Sequence, residues 1–330
     1  MALGLRRGRV TAIGERDGRV VRIEVDGVAC VAFRRLTGDV EVGDDVLVNE
    51  QARLLGLGSG GFDVLYANLT RGLGLAAGEG AHVMKLPYTP MQLAVRHGEE
   101  EGALPSSLGG LPVVCCSVHS QLAPVCAGLG PNVRVAYVQV AGGALPVSLS
   151  DTVRELTARG LLDVAIGAGA CFDGDVDCVS LASALAWAAG SGVDAIVCSV
   201  GPGVAGTGSE LGHGGVSAAE AANAATALDG VAILAVRVSE RDERARHRGV
   251  SHHSRTALRL SLGEVVAAWP AGTAAPDWLE PREEVDVSGW EEACTGLTLS
   301  HMGRGADDDP SHFAAAFAAG RLARRRLPRD

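Results

Sequence analysis

Apolar and polar positions along the chain follow two rhythms. Across residues 8–70, β-branched runs are short and cut by turn residues. The runs at 10–13, 20–25 and 30–33 are separated by Asp17-Gly18 and Asp26-Gly27, and 42–48 adds a turn and another strand. Asp-Gly between such runs is hairpin chemistry. The spacing predicts a small all-β, barrel-like domain over residues 1–75. Residues 76–104 read as a connecting segment.

From residue 105 the rhythm changes. Apolar runs at 112–118, 133–140, 162–168, 195–200 and 231–238 alternate with helix-forming stretches at 150–159, 179–189 and 217–228. Continuous apolar strands joined through helices imply a parallel sheet covered on both faces. The second domain, 105–330, is therefore expected to be α/β and Rossmann-like. A helix at 255–262 and a strand at 265–269 extend it. Residues 271–292, rich in Pro, Asp and Glu, read as a surface excursion. A last helix starts near Asp309, with Asp309 as its cap and Pro310 in its first turn.

Composition narrows the function classes. With 330 residues, 47% of them hydrophobic, the chain is long and apolar enough for two globular domains. A formal net charge of −10 disfavours nucleic acid as partner. The basic tail Arg321, Arg324, Arg325, Arg326 and Arg329 reads as a solvated helix end. The most apolar stretch, 181–200, is interrupted by Gly190, Gly192 and Asp194, so no membrane span is expected, and residues 1–6 form no secretory leader. Eight cysteines without metal-type spacing fit buried small hydrophobes in a cytoplasmic protein. Homo-oligomerisation is left open. Lys85 is the only lysine among 29 basic residues. An ammonium can lose its proton or form a Schiff base, which a guanidinium cannot, so Lys85 is a candidate ligand-binding residue.

Parallel sheets bind ligands at the carboxyl ends of their strands. The five post-strand loops hold His119-Ser120-Gln121; Gly142 to Pro146; Asp173, Asp175 and Asp177; the Gly-rich run Gly201 to Glu210, followed by His213; and Glu243, Arg246, His247, His252 and His253. Five of the nine histidines fall in these loops, which argues for a site there. In the Gly-rich run, Gly201, Gly203, Gly206, Thr207 and Gly208 offer backbone N–H groups to an anion, backed by a helix capped by Ser217. The run matches neither the P-loop nor the dinucleotide fingerprint. The acidic triplet offers oxygen ligands to a divalent cation. His247, His252 and His253 offer imidazoles for a metal or for proton transfer. As neighbours, His252 and His253 are expected to point apart, so that one of them reaches a given ligand. Arg244, Arg246 and Arg248 favour an anion over a bare cation.

Several motifs resemble a bacterial family catalogued as domain of unknown function 3866. They are His82-Val83-Met84-Lys85-Leu86-Pro87-Tyr88-Thr89-Pro90-Met91-Gln92, His119-Ser120-Gln121-Leu122, Gly143-Ala144-Leu145-Pro146, residues 201–208, and Arg246-His247-Arg248-Gly249-Val250-Ser251-His252-His253. The resemblance spans nearly the whole chain and implies no activity. It also implies an Asp where this chain has Ala141 and a His where it has Ala170.

Three readings follow. The first is a hydrolase or transferase acting on a small anionic, phosphorylated molecule. In it His247 or His252 is the acid/base, His119 assists, Asp175 orients or binds a divalent metal, and Arg246 holds the anion with Lys85, Ser120, Gln121, His253 and the Gly-rich loop. The second is a non-catalytic small-molecule sensor. The third is a structural or interaction protein. The two departures from the family pattern favour binding over catalysis.

Overall fold

The computed structural model describes residues 3–56, 61–76 and 78–328, so Arg329 of the basic tail lies outside the described residues. The chain divides into two compact units, Met1–Arg96 and His97–Asp330.

In the first unit, β1 (Leu5–Asp17), β2 (Val20–Val25), β3 (Val28–Phe33), β4 (Asp45–Asn49) and β5 (Asp63–Asn68) close into a barrel in the order β1-β2-β3-β5-β4. Two single-turn helices, α1 (Arg34–Thr37) and α2 (Gln51–Leu54), sit in its connections. The β2–β3 turn works because Asp26 and Gly27 both take positive φ, 52° and 76°, as a tight hairpin demands. Val10, Ile23, Val25, Val46, Val48 and Leu65 fill the barrel. The first strand runs well beyond 10–13, and β5 was not expected. Within 76–104, β6 (Val83–Lys85) pairs with β7 (Leu93–Val95) as an antiparallel ribbon.

The polar residues buried in the barrel are paired. Asp44 accepts from Arg71 Nη2 at 2.7 Å, from Asn68 Nδ2 at 2.7 Å and from the Glu41 N–H at 2.9 Å. Asp63 accepts from Arg53 Nε at 2.8 Å and Arg6 Nη2 at 3.1 Å. Burial pushes the Asp44 carboxyl up, but these donors hold it below the ordinary carboxylate range.

The second unit is built on β8 (Pro112–Cys116), β9 (Val135–Val140), β10 (Val164–Ala168), β11 (Val176–Cys178), β12 (Ala195–Val200), β13 (Val231–Ala235), β16 (Val265–Pro270) and β17 (Arg282–Val285). All are parallel, in the order β11-β10-β9-β12-β8-β13-β16-β17. Alternate residues point to opposite faces. Val113, Cys115, Ile196 and Cys198 pack with α5 (Leu181–Gly190), α6 (Ser217–Ala227) and α7 (His252–Leu260). Val114, Cys116, Val197 and Ile233 pack with α3 (Leu122–Leu129), α4 (Asp151–Ala158) and α9 (Pro310–Arg325). The doubly covered parallel sheet is thus present, preceded in the chain by the barrel. The region read as a surface excursion contributes the edge strand β17 and reaches the short helix α8 (Trp290–Ala293). A two-strand ribbon, β14 (Val238–Ser239) with β15 (Gly249–Val250), leaves the end of β13.

Strands β12, β8 and β13 are neighbours, yet the chain leaves β8 for α3 on one face and leaves β12 and β13 for α6 and α7 on the other. Neighbouring loops that part in this way open a crevice at the carboxyl ends, where such sheets take ligands.

Candidate functional site

Each wall of the crevice has a local cause. After β13, Arg237 is followed by the β14–β15 ribbon, which folds 240–248 out and back. The Ser251 N–H donates to the Arg237 carbonyl at 2.9 Å, and the Arg237 N–H donates to Ser254 Oγ at 2.8 Å. Ser251 then caps α7, accepting from the His253 N–H at 3.2 Å. The cap sets His252 and His253 in the first helical turn, beside Arg237. After β12 the chain makes a small hairpin in which Gly206 bridges His213. Gly142 and Gly214 make the crossing possible, because a Cβ on Gly214 would stand 1.9 Å from the Gly142 carbonyl oxygen.

The result is a group of imidazoles. His213 stacks on His253 with ring centroids 3.8 Å apart. His252 lies 4.9 Å from His213 and 4.6 Å from His253, both in edge contact. His247 stands 4.8 Å from His252, with Nδ1 2.7 Å from Ser251 Oγ. His252 and His253 therefore both join the cluster, against the expectation that adjacent residues point apart. At the start of a helix, where the chain turns from extended to helical, neighbouring side chains can converge.

A second row begins at Ser120, whose Oγ lies 2.9 Å from His301 Nδ1 and 3.0 Å from His312 Nε2. One end of this row fixes its protons. His312 Nδ1 faces the Val238 carbonyl at 3.2 Å and must donate to it. His312 Nε2 is then an acceptor, Ser120 donates to it, and Ser120 accepts from His301 Nδ1–H. His301 Nε2 is left bare toward Arg237 Nη2 at 3.4 Å. Arg237 Nη1 donates to His253 Nδ1 at 3.1 Å, so neutral His253 carries its proton on Nε2.

Arg237 joins the two groups and is 2% exposed. Its nearest carboxylate oxygen, on Asp242, is 3.8 Å away, and its Nε has no hydrogen-bond partner. Asp242 is instead held by Arg244, through Nε at 2.9 Å and Nη2 at 2.8 Å. Arg304 Nη2 is also buried without a hydrogen bond, 3.6 Å from Asp242. Among the imidazoles, both nitrogens of His213 and Nε2 of His252 are buried and unpartnered. Burial lowers the His213 pKa and Arg237 adds to this, against a smaller opposing pull from the Glu210 carbonyl.

Burial and positive neighbours keep the histidines neutral. Burial, then Arg237 and Arg244, lowers His247 to about 3. Burial, then His213 and Arg246, lowers His252 to about 4. Burial, then Arg237, drives His253 far down and takes His312 to about 3. Burial, then His312, takes His301 to about 2. Arg237 falls to about 10 through burial and Arg244, and still carries its charge at neutral pH. Although burial pushes Asp242 up, the Arg244 hydrogen bonds keep it well below the usual range.

The other expected site residues fall as follows. His119 stands at the start of α3 with Nδ1 3.2 Å from the Val200 carbonyl and Nε2 2.7 Å from Ser150 Oγ, the cap of α4; burial lowers it to about 4. Gln121 is buried, accepting from the Ser117 N–H at 3.0 Å and donating to the Ala235 carbonyl at 2.8 Å, so it ties β8 to β13. Arg246 is exposed near the imidazoles, and a Cβ on Gly208 would lie 3.9 Å from its Nη1.

In the Gly-rich run, the Thr207 N–H and several neighbouring N–H groups are taken up within the chain. The N–H groups of Ala205, Thr207, Gly212 and Gly214 go to Gly142 O, Gly212 O, Ser209 Oγ and Ala205 O. Thr207 Oγ1 bonds Ser209 Oγ at 2.8 Å. Gly201 is needed because its Cβ would meet the Ala144 carbonyl at 2.2 Å, and Gly203 because its φ is 70°. Ser217 is the first residue of α6 rather than its cap, and its hydroxyl donates to the Ala141 carbonyl at 2.7 Å.

Asp175 is not brought to the histidines. It exchanges hydrogen bonds with the backbone of Ala165 at the start of β10, at the amino edge of the sheet. Asp173 bonds Ser148, and Asp177 accepts from the Gly174 N–H at 3.4 Å, so the acidic triplet does not converge. Lys85 is buried in β6 of the first unit. Cys171 and Cys178 are both buried.

Arg237, Asp242, His301, Arg304 and His312 were missed by the sequence reading. The available signal was His312, a lone imidazole on the buried Ala- and Phe-rich face of α9.

A family model described as "Protein of unknown function (DUF3866)" matches residues 29–320. The chain belongs to that family. No curated protein and no solved structure matches it. Among the described residues, no helix is long and apolar enough to cross a membrane.

Proposed function

We propose that this is a cytoplasmic protein that binds a small anionic molecule, phosphorylated or carboxylated, in the crevice at the carboxyl ends of β12, β8 and β13. One observation carries the reading. The Arg237 guanidinium is buried with its nearest carboxylate 3.8 Å away and an unpartnered Nε. A buried cation lacking a close counter-charge costs several kcal/mol, of order, which an arriving anion offsets. Arg304 Nη2 and exposed Arg246 add positive potential, and the neutral His213 and His252 add hydrogen-bond capacity.

Binding is favoured over turnover. His119, His253, His301 and His312 each have a ring nitrogen committed to a hydrogen bond that fixes its tautomer, and none is poised near neutral pH. The hydrolase or transferase reading would rest on His247 and His252, and the sensor reading needs neither. All eight cysteines are buried and unpaired by disulfides, which fits a reducing compartment.

The test is thermal shift of the full chain with inorganic phosphate, a nucleoside monophosphate and a sugar phosphate. A ligand at ten times its dissociation constant adds about 1.4 kcal/mol of stability. At least one is expected to stabilise the wild type and to lose its effect in Arg237→Met. No response from any of them at millimolar concentration would overturn the reading.

A further inference from the structure

The anion does not account for the three imidazoles that face one another. We propose that His213, His252 and His253 form a binding site for one divalent transition-metal ion of the zinc type. One ligand nitrogen from each ring lies within 4.8 Å of the other two. This inference goes beyond the anion site, because it stands on the imidazoles and not on Arg237.

The donor set fits. Imidazole nitrogen suits zinc, copper, nickel and iron, whereas calcium and magnesium take oxygen. Ligating histidines bind through a ring nitrogen with a free in-plane lone pair. His213 is 6% exposed and neither of its ring nitrogens has a hydrogen bond; Nε2 of His252 is likewise buried and unpartnered. Such nitrogens lose their water on folding and gain nothing in return unless something else binds them.

The space for the ion is also specified. Gly215 lies against the cluster, and a Cβ on it would stand 2.8 Å from His253 Nδ1 and 3.1 Å from His213 Nδ1. Glycine keeps that volume clear. Two nitrogens at about 2.1 Å from one ion are at most about 4.2 Å apart. At a tetrahedral centre the two nitrogens stand about 3.4 Å apart. Uptake therefore draws the rings together from within 4.8 Å, by up to about 1.4 Å, and turns the stacked His213–His253 pair so that their in-plane lone pairs converge.

Arg237 is the competitor. It donates to His253 Nδ1 at 3.1 Å. When His253 ligates through Nδ1 it keeps its Nε2 proton, so no proton is released, and the guanidinium gives up that hydrogen bond. Its charge also opposes the ion. Removing it is therefore expected to tighten metal binding while abolishing the anion response.

The experiment uses full-length protein without a polyhistidine tag, stripped with a chelator and titrated with zinc ions alone against a chromogenic competitor, with cobalt ions as a spectroscopic probe. The expected result is one ion per chain and a tetrahedral cobalt spectrum. His213→Ala and His252→Asn should each weaken binding by more than the about 10–100-fold typical of outer-shell changes. Arg237→Met should tighten it about tenfold, and His82→Ala, in the first unit, should leave it unchanged. His252 is half-exposed, so His252→Asn carries the test if His213→Ala does not fold. Uptake below about 0.1 equivalent, or affinity unchanged in His252→Asn, overturns the site. Metal uptake without any phosphate response would leave this site standing and remove the anion reading. The opposite pair of results would do the reverse.

Discussion

The barrel and the crevice treat buried charge in opposite ways. In the barrel, Asp44 is surrounded by Arg71, Asn68 and the Glu41 N–H, and Asp63 by Arg53 and Arg6. In the crevice, Arg237 is as deeply buried but has no carboxylate in hydrogen-bond reach, and neither ring nitrogen of His213 has a hydrogen bond. Both regions bury polar groups, so burial alone does not mark a site. What separates them is closure: the barrel network is complete within the chain, and the crevice leaves Arg237 Nε, Arg304 Nη2, the His213 ring and His252 Nε2 without hydrogen-bond partners.

The largest effect tests the frame of the open region. Gly214→Ala puts a methyl against the Gly142 carbonyl, and backbone cannot swing aside as a side chain can. It should destabilise the second unit by roughly 3 kcal/mol or more, seen as early urea unfolding. A loss below about 1 kcal/mol would mean that the two loops do not cross as closely as described. Next comes the closed network. Asp44→Ala leaves Asn68 and Arg71 without their acceptor and should cost about 2 kcal/mol, read by hydrogen exchange of the β1–β5 amides. If those amides exchange at wild-type rates, the barrel network is not the closed system described.

Acid offers a smaller, graded effect. His119 is depressed to about 4 when folded, against an unfolded value near 6.5. Between those values the unfolded chain binds the proton and the folded chain does not. Stability is therefore complete above about pH 6.5 and falls as pH drops toward 4, by about 1.4 kcal/mol per pH unit for this imidazole. His119→Asn should reduce the slope of unfolding free energy against pH by about one proton across that window. An unchanged slope would remove His119 from the acid response.

The smallest expected change in stability is the most telling. Arg237→Met replaces an incompletely paired buried ion by an apolar side chain of comparable length. In ligand-free protein it should cost nothing, or add up to about 1–2 kcal/mol of stability. A loss as large as that of Asp44→Ala would show that Arg237 belongs to a closed network too, and the contrast would fail.

Much of the frame was legible because periodicity reports burial. The apolar runs that became β8, β9, β10, β12, β13 and β16 were visible, as were α4, α5, α6 and α9. Helix α3 was not, because all eight of its residues are buried and it shows no polar face. The edge strand β17 was hidden in an acidic segment, since edge strands need no apolar pattern. The site was half legible. Loop histidines at 119, 213, 247, 252 and 253 stood out against their surroundings. Arg237 did not, placed at the end of a strand like any arginine. Asp175 was assigned to the wrong edge because the chain crosses back beneath β10 to start β11, a reversal that alternation cannot show.

The row of hydrogen bonds from Ser120 to His301 and His312 spans 181 and 192 residues of sequence. It has a consequence in time. At about 5–20 residues per second, a ribosome needs about 10–40 s to deliver those two partners after Ser120 has emerged. By the end of that interval all the strands of the sheet have emerged, while the hydroxyl of Ser120 and the guanidinium of Arg237 still await His301 and the last helix. The crevice is thus among the last features of the nascent chain to mature, and a product cut short before α9 would carry the sheet without the row that joins Ser120 to His312.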